Sequence, residues 1–508
     1  MPRLGCRRRN GSGGNGMNIL FVTADQWRGD CLGAAGHPSA VTPHLDRLAA
    51  DGVRFARHHT QATPCGPARA SLHTGLYAFN HRSITNGTPL DARHRTVAQL
   101  LRAAGRDPVL FGYTDTSADP RRYPADDPRL TSYEGVAPGY RVELQLPEHL
   151  GPWLDHLAAR GYGRRDHVWD WYRGPLGAPA PWRAEDSETA FLADRFLDWH
   201  RHRRGPWTAH LSFIKPHPPL VEPAPYHALV DPARMPLPVP PAGPAHPWLE
   251  VHRNQPLGAS WGALAGRLPR DLDAATWRTL RAVYLGAIAE VDHHLGRILG
   301  ALERSGELDR TLVVVTADHA EMLGDQLMLG KAGFFPQAFH VPLVVRAPGG
   351  ARGRTVEAFT EHVDIMPTLL EAAGLAAPLQ GDGHSLWPFL RGDAPAGWRD
   401  ATHWEHDFRD VEALTYERAL DLPSDRCSLA VRLERRFAYV HFAGLPPLCF
   451  DHAADPGWTR DLAGDPAAAG IVRDLAQGML DWRMRHAERR LTGAKLTACG
   501  VKGSFDPA

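Results

Sequence analysis

The sequence predicts an α/β protein, in which a large unit with a mostly parallel central sheet flanked by helices is followed by a smaller α+β unit. Three observations carry this expectation. From Asn18 onward, short β-branched runs alternate with stretches of helical periodicity. Gly52, Gly105, Gly306 and Gly374 stand where those helical stretches should stop. After about residue 391 the alternation gives way to closely spaced short strands and one helix. A chain of 508 residues, 43% of them hydrophobic, can fill such a core and is long enough for more than one domain-sized unit.

Residues 1–16 read as a disordered extension. Arg7, Arg8 and Arg9 are followed by glycine, serine and asparagine rather than the apolar stretch of an export signal, and Met17 reads as the true start. Strands are expected at 18–24 (NILFVTA), 107–111 (DPVLF), 208–213 (TAHLSF), 311–317 (TLVVVTA) and 341–346 (VPLVVR), with helices around 45–50, 97–104, 188–200, 280–303 and 363–373. Residues 216–247 hold too many prolines for a central strand or a long helix. They are expected to form a long loop, and such loops often cover a site. A second irregular stretch is expected over 114–150. In the last part, strands at 429–433, 437–442 and 448–451 precede a helix over about 467–489. The domains expected are therefore 17–390 and 391–508.

Composition removes several function classes. Fifty-seven basic residues balance fifty-seven acidic ones, which argues against a nucleic-acid binder. No window approaches eighteen apolar residues, so no membrane span is expected. Six scattered cysteines with no C-x-x-C pair fit a reducing compartment, and the cytoplasm is the expected location. Only four of the basic residues are lysine: Lys215, Lys331, Lys495 and Lys502. Against that arginine background a retained lysine marks a place where a compact ammonium is wanted, although for Lys495 and Lys502 chance retention is the simpler account.

Chemistry gathers at the strand exits. NILFVTA runs into Asp25-Gln26 and TLVVVTA into Asp318-His319. Ligands bind beyond the carboxyl ends of parallel strands, so the two aspartates and the histidine form a plausible divalent-metal set. A single such aspartate is more often a helix cap or turn residue; the repetition favours a site. In TPCGPARASLHTG, a helix runs from Cys65 or just after it to a stop at Gly75, which puts Cys65 at a helix N-terminus, where the dipole should lower a thiol pKa. The cysteine-phosphatase loop is excluded, because it needs an arginine where Ser71 stands.

Cys65, Pro67 and Arg69 match C-x-P-x-R. Here the chain resembles the sulfatase family of the alkaline phosphatase superfamily, closest to its phosphonate monoester hydrolases and arylsulfatases. The resemblance runs from Met17 to about Ala468 and includes DQWRGDCLG, TPCGPARASLHTGLY, ITNGTPL, FGYTDTSADPR, FIKPHPP and DHAEMLGDQLMLGKAGFFPQAFHVPL. Three positions depart from the pattern. Gln26 stands where many sulfatases carry a second aspartate, Ala320 replaces a glycine, and Asp115 stands where a threonine is expected among the phosphonate hydrolases.

The resemblance implies an alkaline-phosphatase-like catalytic domain that hydrolyses sulfate monoesters, phosphonate monoesters or phosphodiesters through a covalent intermediate on residue 65. Cys65 would be oxidised to formylglycine by a formylglycine-generating enzyme, and the hydrated aldehyde would be the nucleophile. Asp25, Asp318, His319 and modified Cys65 would hold one divalent metal ion. The imidazole in that set favours manganese, with calcium as the second choice. Arg69 would bind the diol, while His217 and Lys331 would meet the substrate oxygens, His217 as general acid. Asn86, Tyr113 and Thr114 would line the anion pocket. The partners implied are a small-molecule ester and a second copy of the chain, without nucleic acid or membrane. The alternatives are a dedicated aryl, choline or sugar sulfatase and a non-catalytic anion-binding protein with unmodified Cys65.

Overall fold

The computed structural model describes residues 16–504 except 148, 166 and 243–245. The expected N-terminal extension therefore lies outside the described residues, apart from Gly16. Eight strands form the main sheet: β1 Asn18–Ala24, β2 Val53–His59, β3 Pro108–Gly112, β4 Arg141–Gln145, β5 Thr208–Phe213, β6 Thr311–Thr316, β7 Leu343–Arg346 and β8 Arg354–Glu361. Their order is β4-β3-β5-β1-β6-β7-β2-β8, and β7 alone runs antiparallel to its neighbours. β1 pairs in parallel with β5 on one side and β6 on the other, so Asp25 and Asp318 leave adjacent strands at the same edge.

The side-chain period of two explains how β1 organises both faces. Leu20, Val22 and Ala24 join a core shared with the helices Glu188–His202 and Ala274–Arg304. Ile19 and Phe21 face the opposite core, with Val97 and Leu101 from one helix and Ile365, Met366 and Leu369 from another. Each such large apolar side chain contributes about 1.5–3 kcal/mol by leaving water. A charge at Val22, which is 1% exposed, would remove that contribution and add a buried unpaired ion.

Three strands of this sheet escape the sequence reading. β2 (VRFARHH) and β8 (RTVEAFTE) alternate buried and half-exposed positions, and β4 (RVELQ) is an exposed edge inside the stretch read as irregular. None offers the uninterrupted apolar run that marks β1 and β6. Over its described residues the proline-rich passage does form a loop with only short helical turns.

The last part carries an antiparallel sheet in the order β12-β11-β10-β9, from β9 Ala401–Asp407, β10 Ser428–Glu434, β11 Phe437–Phe442 and β12 Leu448–Asp451. The helix Ala469–His486 covers one face through Leu475, Met479 and Trp482. The unforeseen strand here, β9, props the segment that leads to Cys65. The Glu405 N–H donates to the Gln61 carbonyl at 2.9 Å, and the Phe79 N–H donates to the Glu405 carboxylate at 2.9 Å. No helix among the described residues is long and apolar enough to cross a membrane.

Candidate active site

β1 and β6 deliver Asp25, Gln26, Asp318 and His319 to one sheet edge, and the helix Cys65–Thr74 brings Cys65 and Arg69 over it. All ten residues of that helix are buried. Its C-terminal stop is Gly75 at φ +66°, where an added Cβ would also lie 2.6 Å from Met366 Cε. At the other end the Gly66 N–H donates to Asn86 Oδ1 at 2.8 Å, so Asn86 caps the helix that presents Cys65.

The ligand atoms of Asp25, Cys65, Asp318 and His319 all lie within 4.8 Å of one another. Cys65 Sγ is 3.2 Å from His319 Nε2, which is 3.5 Å from Asp25 Oδ1 and 3.7 Å from Asp318 Oδ2. The residues fit a divalent cation on two further counts. Asp25 Oδ1 is buried with no hydrogen-bond partner among the described residues. His319 Nδ1–H is directed to the Ala320 carbonyl at 3.2 Å, which leaves the Nε2 lone pair facing carboxylates and sulfur, an arrangement that calls for a cation. Ala320 itself is fully buried and fits the strand exit, its N–H bonded to the Ala338 carbonyl at 2.8 Å.

Arg69 is fully buried and clamps both carboxylates: Nε donates to Asp318 Oδ2 at 2.8 Å and Nη2 to Asp25 Oδ2 at 3.2 Å. Nη1 donates to Ser212 Oγ at 2.8 Å and to the Tyr113 carbonyl at 3.1 Å, so at most one of its five N–H groups is left over. Burial would raise the Asp25 carboxyl, but Lys331, His217, His319 and Arg69 together hold it well below the usual carboxylate range. Asp318 moves the other way, to about 6, because burial and the Asp25 charge outweigh Arg69. A dication between them would favour ionisation of both.

The thiol corrects one expectation. Cys65 does open a helix, but burial, with Asp25 adding to it, pushes its pKa well up rather than down. Desolvation and the Asp25, Asp318 and Asp115 carboxylates outweigh the Lys331 charge, and the residue is not a thiolate nucleophile at neutral pH. Lys331 Nζ lies 3.0 Å from Cys65 Sγ and 3.0 Å from Gln26 Oε1. Burial works against its charge, yet Cys65, Asp25 and Asp318 hold it firmly protonated.

His217 joins the site from the proline-rich loop. Its Nδ1 bonds the Pro218 carbonyl at 2.6 Å, leaving Nε2 as the acceptor of the neutral ring. Burial, then Lys331, lowers its pKa to about 4. The cation left to meet a substrate is thus Lys331, since Arg69 is paired with the aspartates and His217 is neutral. Tyr113 donates its hydroxyl to Asp25 Oδ2 and offers its ring to Arg69, whose Cζ is 4.1 Å from the ring centre. Thr114 is fully buried; its hydroxyl donates to the Gly135 carbonyl at 3.2 Å and accepts from the Ala137 N–H at 2.7 Å, which organises the adjoining loop. Asp115 has φ +43° and its carboxyl is raised to about 7, chiefly by burial, with Asp25, Glu134 and Asp318 adding.

Two contributors escaped the sequence reading. Glu321 accepts from the Gln26 amide, from the Leu323 N–H at 3.0 Å and from the Gly330 N–H at 2.6 Å, and so ties the first strand exit to the loop that carries Lys331. Its position three residues after Asp318 was the available signal. Ser212, on β5, gives Arg69 a neutral partner and carried no motif.

The description "Sulfatase" belongs to a family profile that matches residues 17–375, and one described as "N-sulphoglucosamine sulphohydrolase, C-terminal" matches residues 324–485. The multifunctional alkaline phosphatase superfamily protein PehA of Trinickia caryophylli is 40% identical over 505 residues, covering 95% of this chain and 98% of that protein. The crystal structure of a phosphonate monoester hydrolase of Agrobacterium radiobacter superposes with a TM-score of 0.91 at 43% identity, covering 96% of this chain and 99% of that one. A phosphonate monoester hydrolase from Silicibacter pomeroyi gives 0.90 at 42%, covering 97% of this chain and all of that one.

Proposed function

Because the chain belongs to the sulfatase family of the alkaline phosphatase superfamily, we propose that it hydrolyses sulfate monoesters, phosphonate monoesters and phosphodiesters with formylglycine at position 65 as the covalent nucleophile. The observation that carries this reading is the convergence of Asp25, Cys65, Asp318 and His319 within 4.8 Å beside the Lys331 ammonium. A raised thiol pKa supports it too, since the cysteine is poorly suited to act as a thiol. Asp25, Asp318, His319 and residue 65 would hold the divalent ion, manganese before calcium, and that ion would supply Lewis acidity at the nucleophile and the ester oxygens.

The chain's own side chains divide the remaining work. Arg69 and Tyr113 hold the two carboxylates in place, and Asn86 fixes the helix start that presents residue 65. Lys331 lies against residue 65 with two neutral hydrogen-bond partners, and with a dication held by Asp25 and Asp318 its charge would be available to a tetrahedral anion. His217 enters neutral; an anion in the pocket raises its proton affinity, so Nε2 takes up a proton from water and passes that proton to the leaving-group oxygen as the ester bond breaks. Asp115, whose carboxyl is raised to about 7, adds negative charge near the site only as pH rises past that value, and in that form it disfavours a doubly charged phosphate monoester relative to singly charged esters. A formylglycine-generating enzyme, a cytoplasmic location, self-association and a domain boundary near residue 391 belong to the same proposal.

Two measurements test it. The tryptic peptide containing residue 65 should be about 18 Da lighter than its cysteine form when isolated from cells that carry the modifying enzyme. Purified protein should turn over both p-nitrophenyl phenylphosphonate and p-nitrophenyl sulfate. Turnover of the sulfate alone would show a dedicated sulfatase, and an unmodified cysteine in a fully active preparation would overturn the mechanism.

A further inference from the structure

The loop that carries His217 is held from beneath by charges the reaction does not use. Lys215 lies two residues before His217 and is 2% exposed by side chain. Its Nζ donates to the Pro219 carbonyl at 2.7 Å, lies 2.8 Å from Glu222 Oε1 and is 3.7 Å from Glu188 Oε1. One ammonium therefore grips the chain on both sides of His217, and the His217 N–H closes the turn onto the Ile214 carbonyl at 3.0 Å.

The counter-charges come from separate elements. Glu188 opens the helix Glu188–His202, where a carboxylate suits the positive end of the dipole, and it accepts from the Tyr172 hydroxyl at 3.3 Å. Glu290 sits in the middle of the helix Ala274–Arg304 and is fully buried, as is Glu222. The Tyr172 ring centre lies 5.6 Å from Lys215 Nζ. Three carboxyls thus surround one ammonium in the described interior. Burial, with Glu222 and Glu188 adding to it, pushes Glu290 well above the ordinary glutamate range, which lets the group carry a proton and reduces the excess negative charge. A buried ion set is weak evidence for stability, because desolvation offsets most of the attraction, but it fixes geometry sharply.

We propose that Lys215, with Glu222 and Glu188, is a positioning clamp that sets the placement of His217 toward the leaving group. This rests on the reading of His217 as the proton donor. A lost clamp therefore has the signature of lost acid catalysis: the deficit is large for alkyl esters, whose poor leaving groups need a proton, and small for p-nitrophenyl esters, whose leaving group does not.

The test uses the full-length, modified enzyme as Lys215→Met, as Lys215→Met with Glu222→Gln, and as His217→Ala with and without the first change. The paired variant removes the ammonium together with the carboxylate it faces, so it leaves no lone buried charge if the single variant fails to fold. With a methyl or ethyl ester, kcat should fall by about tenfold to a hundredfold in whichever clamp variant folds, with KM within about threefold of the parent. With the p-nitrophenyl ester, kcat should fall by less than about threefold. Combining the clamp change with His217→Ala should cost no more than His217→Ala alone, because both remove one function. Clamp losses that are equal for both leaving groups, or that multiply with the His217→Ala loss, overturn the clamp. If His217→Ala itself shows no dependence on the leaving group, the donor reading fails, and that result is separate.

Discussion

Lys331 and Lys215 both point inward at the carboxyl edge of the same sheet, and their surroundings are opposite. Lys331 is half-buried and ends on a thiol sulfur and an amide oxygen, both neutral partners. Lys215 is enclosed and ends on a carbonyl oxygen and a glutamate, with a second glutamate in reach. An ammonium whose neighbours already balance it has nothing left for a ligand. Lys331 also feels Asp25 and Asp318, but those carboxylates belong to the cation site, so with a dication held there its field is left for whatever enters, and this separates a binding lysine from a structural one more clearly than burial does.

The largest expected effect tests what Lys331 is for. Cys65→Ala should lower turnover by roughly 10⁴-fold or more on any ester, while far-ultraviolet circular dichroism stays unchanged, since a small buried side chain is replaced by one slightly smaller. Activity retained in that variant would break the comparison at its base, because Lys331 would then face no nucleophile.

Next in size is the contrast between the two lysines. Lys331→Met should reduce kcat/KM by about 10²–10³-fold and, in the metal-supplied enzyme, move the thermal midpoint less than Lys215→Met does, since its two hydrogen-bond partners are neutral and the cation serves Asp25 and Asp318. Lys215→Met should cost several kcal/mol of stability, as breaking a buried pair from one side does, because Glu222 is left facing nothing. Thermal melts of the two variants side by side check this; equal midpoints would show that the enclosed cluster is not an ionic clamp.

Metal removal ranks third. Holding the protein in a chelator should abolish turnover and lower stability by about 2.7 kcal/mol relative to protein supplied with manganese at a hundred times its Kd. Differential scanning calorimetry reads the stability change independently of activity. Asp25→Asn should shrink that shift, because it removes one of the ionised ligands.

How much of this was legible in the sequence follows from which features are local. β1 and β6 are seven- and six-residue runs buried at every position, and each is followed within two residues by an aspartate, so strand, edge and ligand could be read together. The C-x-P-x-R segment placed Cys65 and Arg69 on one helix by spacing alone. The partners of Arg69 were not legible, because Ser212 and the Tyr113 carbonyl meet it only through the parallel register of β3, β5 and β1. The sign of the Cys65 shift was missed for the same reason: the helix start is local, whereas burial beside Asp25 and Asp318 depends on sheet order. Lys215 was visible as a rare lysine, but its three glutamates come from positions 188, 222 and 290 and no motif joins them.

The smallest expected effect carries the comparison from lysines to imidazoles. His217 stands in the site with a pKa of about 4. His73, on the helix that carries Cys65, is enclosed: burial, with Arg69 adding, lowers it to about 3, and neither ring nitrogen has a hydrogen-bond partner among the described residues. A histidine depressed in this way is neutral when folded and takes up a proton on unfolding. Its contribution to stability is full above about pH 6.5, the unfolded value, and falls as pH drops toward about 3. At pH 5 the cost is about 2 kcal/mol by that linkage. Asp292 and Asp382, raised to about 7 chiefly by burial, act with the opposite slope over about pH 4–7, so the test has to isolate the one ring. His73→Leu fills a similar volume without a polar atom to satisfy. The difference in unfolding free energy between pH 8 and pH 5 should shrink by about 2 kcal/mol in that variant. An unchanged difference in urea titrations at the two pH values would show that His73 is not held neutral by its enclosure, and that burial alone does not distinguish the closed imidazole from the one in the site.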